Sequence, residues 1–203
     1  GGYLAWLNRG HLGPLMLCDV EAFPIFFTSA GGSDYVPRGW DIDRFDPGAA
    51  DRSFTRLDGH EAPVACMATV PEGQRFVTGS LDASVRLWDG VKGGLIAVFR
   101  HDQAVNAVSV SGGYFATASS DCTMRVWDHK MMREKCCIRI HQMEVRCVSL
   151  KGSRLVSSSD DGTIVVCSTE GRGRARFRMA CDPLANERHV GAVVCQTVYG
   201  DFL

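Results

Sequence analysis

The sequence predicts an all-β chain, a β-propeller of four-stranded antiparallel blades. Three observations carry that expectation: a segment that returns about every forty residues, four short apolar runs within each return, and no stretch with helical period. The stretch FVTGSLDASVRLWD (Phe76 to Asp89) recurs as FATASSDCTMRVWD (Phe115 to Asp128) and as LVSSSDDGTIVVCS (Leu155 to Ser168), at offsets of 39 and 40 residues. A looser copy, SAGGSDYVPRGWD, ends at Trp40 and Asp41. A histidine precedes each copy, at His11, His60, His101 and His141, and His189 follows 48 residues after the last. Five of the 6 histidines thus occupy one repeat position. This period with four short strands per unit fits propeller blades and not a helical solenoid.

Blades are expected at about 11–59, 60–100, 101–140 and 141–188, with 1–10 as the last strand of a preceding blade and 189–203 as the start of a fifth. The unit at 60–100 shows the pattern. Val64 to Ala68 is a first apolar run, Pro71-Glu72-Gly73 a turn, and Arg75 to Ser80 a second run. Leu81-Asp82-Ala83 is a tight turn before a third run, Ser84 to Trp88. Asp89-Gly90 and Gly93-Gly94 frame the turn into a fourth, Leu95 to Phe99. Four strands in this length leave only tight antiparallel connections, hence a meander. The runs are apolar on both sides, as in sheets covered on both faces. Asp41 to Ser53 reads as a polar loop in the first unit, and Ala180 to Arg188 as an extended loop in the last. A seven-bladed ring at this period needs roughly 280–300 residues. The 203 residues are therefore expected to be part of a larger propeller.

Composition excludes several function classes. The apolar fraction of 45% suffices for a core, and a formal net charge of −1 argues against a chain-wide nucleic-acid or membrane field. No apolar run is long enough to span a bilayer, and no charged segment leads into an apolar one as in a secretory signal. The 9 cysteines include no CxxC pair, and adjacent Cys136 and Cys137 are poorly placed to bond each other. Free thiols in a reducing compartment, cytoplasmic or nuclear, are the expectation. Cys66, Cys147 and Cys195 each lie six residues after a repeat histidine, where Ala107 stands in the third unit. That position wants a small buried side chain and not a metal. Cys136, Cys137, His141 and Cys147 make a weak zinc set, and the aspartates Asp43, Asp46 and Asp51 match no calcium loop. Gly31-Gly32-Ser33 lacks the lysine and helix of a phosphate cradle. No metal, cofactor or small-molecule substrate is expected.

These residues resemble the tryptophan–aspartate (WD) repeat family. The carriers are Gly10-His11 with Trp40-Asp41, Gly59-His60 with Trp88-Asp89, and His101 with Trp127-Asp128. An aspartate stands six residues before each tryptophan (Asp34, Asp82, Asp121), and Asp161 holds that place in the fourth unit. The resemblance implies a buried network in each blade, in which the loop histidine meets the turn aspartate and a second-strand hydroxyl joins it to the indole. The complete sets would be His60, Thr78, Asp82, Trp88 and His101, Thr117, Asp121, Trp127. The fourth unit has His141, Ser157 and Asp161 but Cys167 at the tryptophan position, so its blade is expected to be softer. In the first unit, with His11, Asp34 and Trp40, the hydroxyl position falls on Ser29 or Ala30, depending on a bulge. Arg100 and Ile140 stand where the family's glycine precedes the histidine.

A Ser/His/Asp set also suggests hydrolysis. Here it recurs at blade period, its tryptophan occupies the space a substrate would need, and no GxSxG elbow occurs. The expectation is therefore a non-catalytic scaffold that holds other proteins within a larger assembly. The resemblance implies a partner face at the loops carrying the histidine and turn aspartate: Ser33, Glu61, Leu81, Asp102, Ser120, Gln142 and Asp160, with Leu81 the leading contact. Arg172, Arg174, Arg176 and Arg178 form a basic stretch, and in an outer strand alternation would set Arg174, Arg176 and Arg178 along one side. It reads as a charge-protected edge or as a rim for RNA or an acidic partner. Attachment to a larger enzyme or a ubiquitin-ligase adaptor stays open.

Overall fold

The computed structural model describes residues 15–19, 26–31, 36–41, 55–70, 72, 74–90, 92–170 and 175–180. The expected strands before residue 11 and after residue 189, and His11, Ser33, Asp34, Arg172 and Arg174, lie outside them. Among the described residues there are sixteen strands and no helix, so no helix there could cross a membrane. The strands form four antiparallel four-stranded sheets. The chain divides into two compact units, 1–105 and 106–203, and the division falls within one strand.

The first unit holds two sheets. β1 (Leu15–Asp19), β2 (Phe26–Gly31), β3 (Pro37–Asp41) and β4 (Thr55–Arg56) pair in chain order. β5 (Val64–Val70), β6 (Arg75–Ser80), β7 (Ser84–Asp89) and β8 (Leu95–Arg100) do the same, and β1 packs near β5. Almost every residue of β6 is buried, from Phe76 to Ser80. Val70, Val77, Val85 and Leu87 are fully buried, each worth about 1.5–3 kcal/mol of apolar transfer. Leu57, Phe76 and Trp88 form a cluster of their own.

In the second unit, β9 (Val105–Ser111), β10 (Tyr114–Ser119), β11 (Met124–Asp128) and β12 (Arg133–Ile138) form one sheet. β13 (Val145–Lys151), β14 (Arg154–Ser159), β15 (Thr163–Ser168) and β16 (Ala175–Ala180) form the other. β10 packs on β13 around Ala116, Ala118, Met124, Val126, Val145, Leu150, Leu155 and Cys167. The small Ala116 and Ala118 on β10 let the two sheets approach closely. Phe115 stacks on Trp127 at 6.3 Å.

Register repeats with the sequence. Phe76 lies opposite Trp88, Phe115 opposite Trp127, and Leu155 opposite Cys167. In the first sheet Phe27 lies opposite Trp40 and Ser29 opposite Arg38, as Thr78 lies opposite Arg86. The backbone therefore gives the hydroxyl position to Ser29 and not to Ala30. A bulge recurs between third and fourth strands, at Leu87/Trp88, Val126/Trp127 and Val166/Cys167. In β16 the paired residues are Ala175 and Phe177, so Arg176 falls in the bulge while Arg178 pairs with Val165. Two residues of β16 thus span one step of β15, while Arg174 of the expected alternation lies outside the described residues.

Candidate interaction surface

The sheets β5–β8, β9–β12 and β13–β16 each have an upper end, where the second and third strands turn, and a lower end at the other ends of those strands. At the upper end of β5–β8 the chain before β5 brings His60 against the β6–β7 turn. His60 Nδ1 lies 2.9 Å from Asp82 Oδ2, and Nε2 lies 2.7 Å from Thr78 Oγ1. Trp88 donates its indole N–H to Thr78 Oγ1 at 2.8 Å. The carboxylate can only accept, so the bonding pattern assigns the imidazole proton to Nδ1. Nε2 then accepts the Thr78 hydroxyl proton, and Thr78 Oγ1 accepts from the indole. Each polar atom of a buried chain is satisfied in this way.

The electrostatics agree with a neutral ring. Burial lowers the His60 pKa, and the bond and charge of Asp82 only partly oppose it. Burial alone would raise the Asp82 carboxyl, but the Ser84 hydroxyl, the Glu61 N–H, His60 and the Ser84 N–H outweigh it and hold it at about 2. Gly59 precedes His60 with φ +153°, and a side chain there would collide with the Arg86 guanidinium.

Sequence reasoning missed two hydroxyls in this network. Ser84 donates its Oγ–H to Asp82 Oδ1 at 2.6 Å and its N–H to the same oxygen at 2.8 Å. Ser80 Oγ accepts the Asp82 N–H at 3.1 Å and donates to the Pro63 carbonyl at 2.9 Å. The second unit repeats both: Ser119 and Thr123 flank Asp121, and Ser159 and Thr163 flank Asp161. The signal was present in the sequence as Ser-x-Asp-x-Ser/Thr at Ser80–Ser84, Ser119–Thr123 and Ser159–Thr163. It is an aspartate turn closed by its own neighbours.

In the second unit Trp127 donates to Thr117 Oγ1 at 2.8 Å, and Asp121 is buried with Thr123. His101 belongs to the first unit, where it is buried and donates its N–H to the Ala83 carbonyl at 3.0 Å. In the sheet of β13–β16, His141 Nδ1 lies 3.1 Å from Asp161 Oδ2 and Nε2 lies 2.8 Å from Ser157 Oγ. Burial works against the Asp161 carboxylate, yet the Thr163 hydroxyl, the Gln142 and Thr163 N–H groups and His141 hold its pKa at about 2. Cys167 takes the indole's register place without its N–H. It is buried, and burial raises its thiol pKa to about 11.

The arrangement is a brace for the β6–β7 turn. His60 and Ser84 are both buried, and the Ser84 hydroxyl proton goes to Asp82 instead of His60. A substrate could reach neither. Among the described residues no group of three His, Cys, Asp or Glu could hold a metal ion. Burial pushes the Cys136 thiol up, while Cys137 is exposed. Cys66 is buried against Val105, whereas Cys147 and Ala107 are only half-buried, so the small-residue position is not uniformly interior. Cys195 lies outside the described residues.

What the brace fixes is the upper-end surface. Leu81 sits at the turn tip, 49% exposed, with its N–H bonded to the Pro63 carbonyl at 3.0 Å. Glu61, Asp102 and Gln142 are exposed as expected of contact residues. Glu61 and Gln142 donate their N–H groups to Asp82 and Asp161 respectively, so their backbones are fixed while their side chains face solvent. Ser120 and Asp160 are different. Ser120 donates to Glu144 at 2.8 Å and accepts from Asn106 at 3.1 Å. Asp160 is gripped by Arg146 through Nε at 2.8 Å and Nη2 at 2.5 Å. Both belong to a polar chain within the second unit. Sequence reasoning also missed Met143, which is 52% exposed just before β13.

Comparison with known proteins follows this geometry. The family described as "WD domain, G-beta repeat" matches residues 52–89, 93–128 and 133–168, together more than half of the chain. A guanine nucleotide-binding protein subunit beta of Arabidopsis thaliana is 30% identical over 182 residues, covering 82% of this chain and 47% of the relative. The angio-associated migratory cell protein of Pongo abelii is 29% identical over 83 residues, 41% of this chain and 18% of the relative. The Notchless protein homolog of Arabidopsis thaliana is 32% identical over 71 residues, 35% of this chain and 14% of the relative. The chain thus spans less than half the length of these relatives. Among solved structures, the computationally designed Ika8 protein matches with a TM-score of 0.78 at 19% identity, covering 94% of this chain and 54% of that one. That likeness concerns the fold alone. Three repeat matches, the recurring strand register and the His–hydroxyl–Trp bonding show that the chain belongs to the WD-repeat β-propeller family.

Proposed function

We propose that the protein is a non-catalytic scaffold that binds other proteins of a larger assembly through the upper ends of its blades. The observation that carries this reading is Leu81, an apolar side chain held in solvent at the tip of a turn whose every neighbour is bonded in place. Exposing such a side chain on a rigid turn suits a partner's pocket, since the turn backbone is already ordered before binding. Relatives that carry the same repeats, among them a guanine nucleotide-binding protein subunit beta, fit a role within complexes. A reducing intracellular compartment, cytoplasmic or nuclear, is part of the same proposal.

Affinity purification of the wild-type protein and of Leu81→Asp, with mass spectrometry of what co-purifies, tests the reading. The variant is expected to lose a defined subset of partners at unchanged thermal stability. Identical partner sets would overturn the role of Leu81. A second reading, contact with RNA or an acidic surface, is favoured by the place of Arg176 and Arg178 on β16, the edge strand of its sheet. Salt-sensitive binding of single-stranded RNA that disappears in R176A/R178A would support it. Attachment to an enzyme or ubiquitin-ligase adaptor is decided by the sequence on either side.

A further inference from the structure

At the lower end of β9–β12 the hairpin between β11 and β12 reads Asp128-His129-Lys130-Met131-Met132-Arg133. Asp128 Oδ1 accepts the N–H groups of Lys130 and Met131, each at 2.9 Å, and Met132 adopts φ 52°. The tip is therefore shaped by its own first residue. It presents Met131, 62% exposed, and Met132, 38% exposed. The surface continues beyond the hairpin. His129 donates its N–H to the Gly113 carbonyl, and its Nε2 lies 3.0 Å from the Gly112 carbonyl oxygen. Gly152 donates its N–H to Ser111 Oγ at 2.9 Å, which ties the β13–β14 turn to the end of β9. Three turns of the second unit thus form one connected patch.

Its charge is lopsided. Lys130, Arg133, Lys151 and Arg154 are all exposed here. The described acids at this end are Asp128, Glu134 and Glu170. Asp128 is engaged by backbone N–H groups, and Glu134 lies 3.2 Å from Arg125.

We propose that this lower-end patch docks an acidic protein segment with an apolar anchor, which Met131 and Met132 clasp while Lys130, Arg133, Lys151 and Arg154 meet its carboxylates. Methionine is the side chain best able to mould itself to an anchor of variable shape. A ring of cations steers an acidic chain and adds specificity to the apolar contact. A nucleic acid would use the cations and leave the methionines exposed. Two methionine side chains bury less than a single acyl chain, which itself gives only marginal membrane binding. The inference is independent of the Leu81 reading, since it concerns another end and another sheet.

A phage-displayed random 16-residue peptide library, selected on the intact chain and depleted on M131D/R133E, tests it. Enriched peptides are expected to be acidic with one or two large apolar residues. Their affinity, read by fluorescence anisotropy, should fall at least about tenfold in M131D or K130E/R133E and weaken from 0.05 to 0.5 M salt as screening grows (about 10 Å of Debye length at 0.1 M). Leu95→Asp, which removes another exposed apolar side chain, should change nothing. Matching thermal melts show that the variants are folded. No enrichment, or enriched peptides that lack acidic residues, would overturn the proposal. So would sedimentation with phosphatidylserine vesicles that depends on Met131 in the absence of peptide binding.

Discussion

At Thr78 one hydroxyl serves two buried partners, accepting from Trp88 and donating to His60. Thr78→Val keeps the shape but leaves an indole N–H and an imidazole nitrogen unpaired. We expect a loss of about 2–3 kcal/mol in urea unfolding, with Thr78→Ser costing under about 1 kcal/mol. Equal effects of the two changes would contradict the network. The ionisable members set a pH dependence. The folded pKa of His60 lies below its ordinary value, so the unfolded state binds the proton more readily. Stability contributed by neutral His60 is full above about pH 6.5 and is lost as pH falls below it. Asp82 and Asp161, held at about 2, contribute stability that is full above about pH 5 and lost as pH falls from about 4 towards 2. Urea midpoints measured across pH should show both declines, and His60→Asn should reduce the first. His60, Thr78, Asp82 and Trp88 were legible because they recur at fixed spacing. Ser80 and Ser84 recur too, but as short polar residues beside a turn they read as ordinary turn composition.

Among the elements, the turn between second and third strands is the most informative. Ala83, Cys122 and Gly162 occupy one place in it with φ of 65°, 67° and 73°. Only the last is the residue this left-handed geometry favours. A side chain there costs about 1–2 kcal/mol, partly offset by the extra freedom a glycine gives the unfolded chain. Cys122→Gly should therefore stabilise by about 0.5–1 kcal/mol and Gly162→Ala should destabilise by about 1 kcal/mol, read as shifts in the urea midpoint. If Cys122→Gly were destabilising, the turn geometry would be wrong. The strands of 60–100 were legible nearly to the residue, because apolar runs and turn residues alternate sharply. The bulge at Arg176 was not. A bulge arises from how β16 pairs with β15, and a single strand's pattern carries no mark of it.

For the whole molecule, the expectation concerns uneven stability. The sheets β9–β12 and β13–β16 share a core, yet the second has Cys167 where the first has Trp127. Without the indole donor, Ser157 bonds His141 alone in its network. Amide hydrogen exchange at Ser157 and Val165 is expected to be about tenfold faster than at Thr117 and Arg125, through local opening. Equal protection would show that Cys167 packing compensates fully. The repeat count made the family legible, since each blade is specified by its own short segment and the segments recur.

By itself the sequence determined the strands of 60–100 and the membership of the His60–Thr78–Asp82–Trp88 set, because these depend on short-range spacing and on residue chemistry. Tertiary structure alone decided which of them reach solvent. Leu81 stands exposed, while Ser120 and Asp160, at comparable turn positions, are engaged by Glu144, Asn106 and Arg146. It also fixed the neutral, Nδ1-protonated state of His60 and joined three distant turns around Met131. Exposure and protonation are set by neighbours far along the chain, and no local pattern records who those neighbours are.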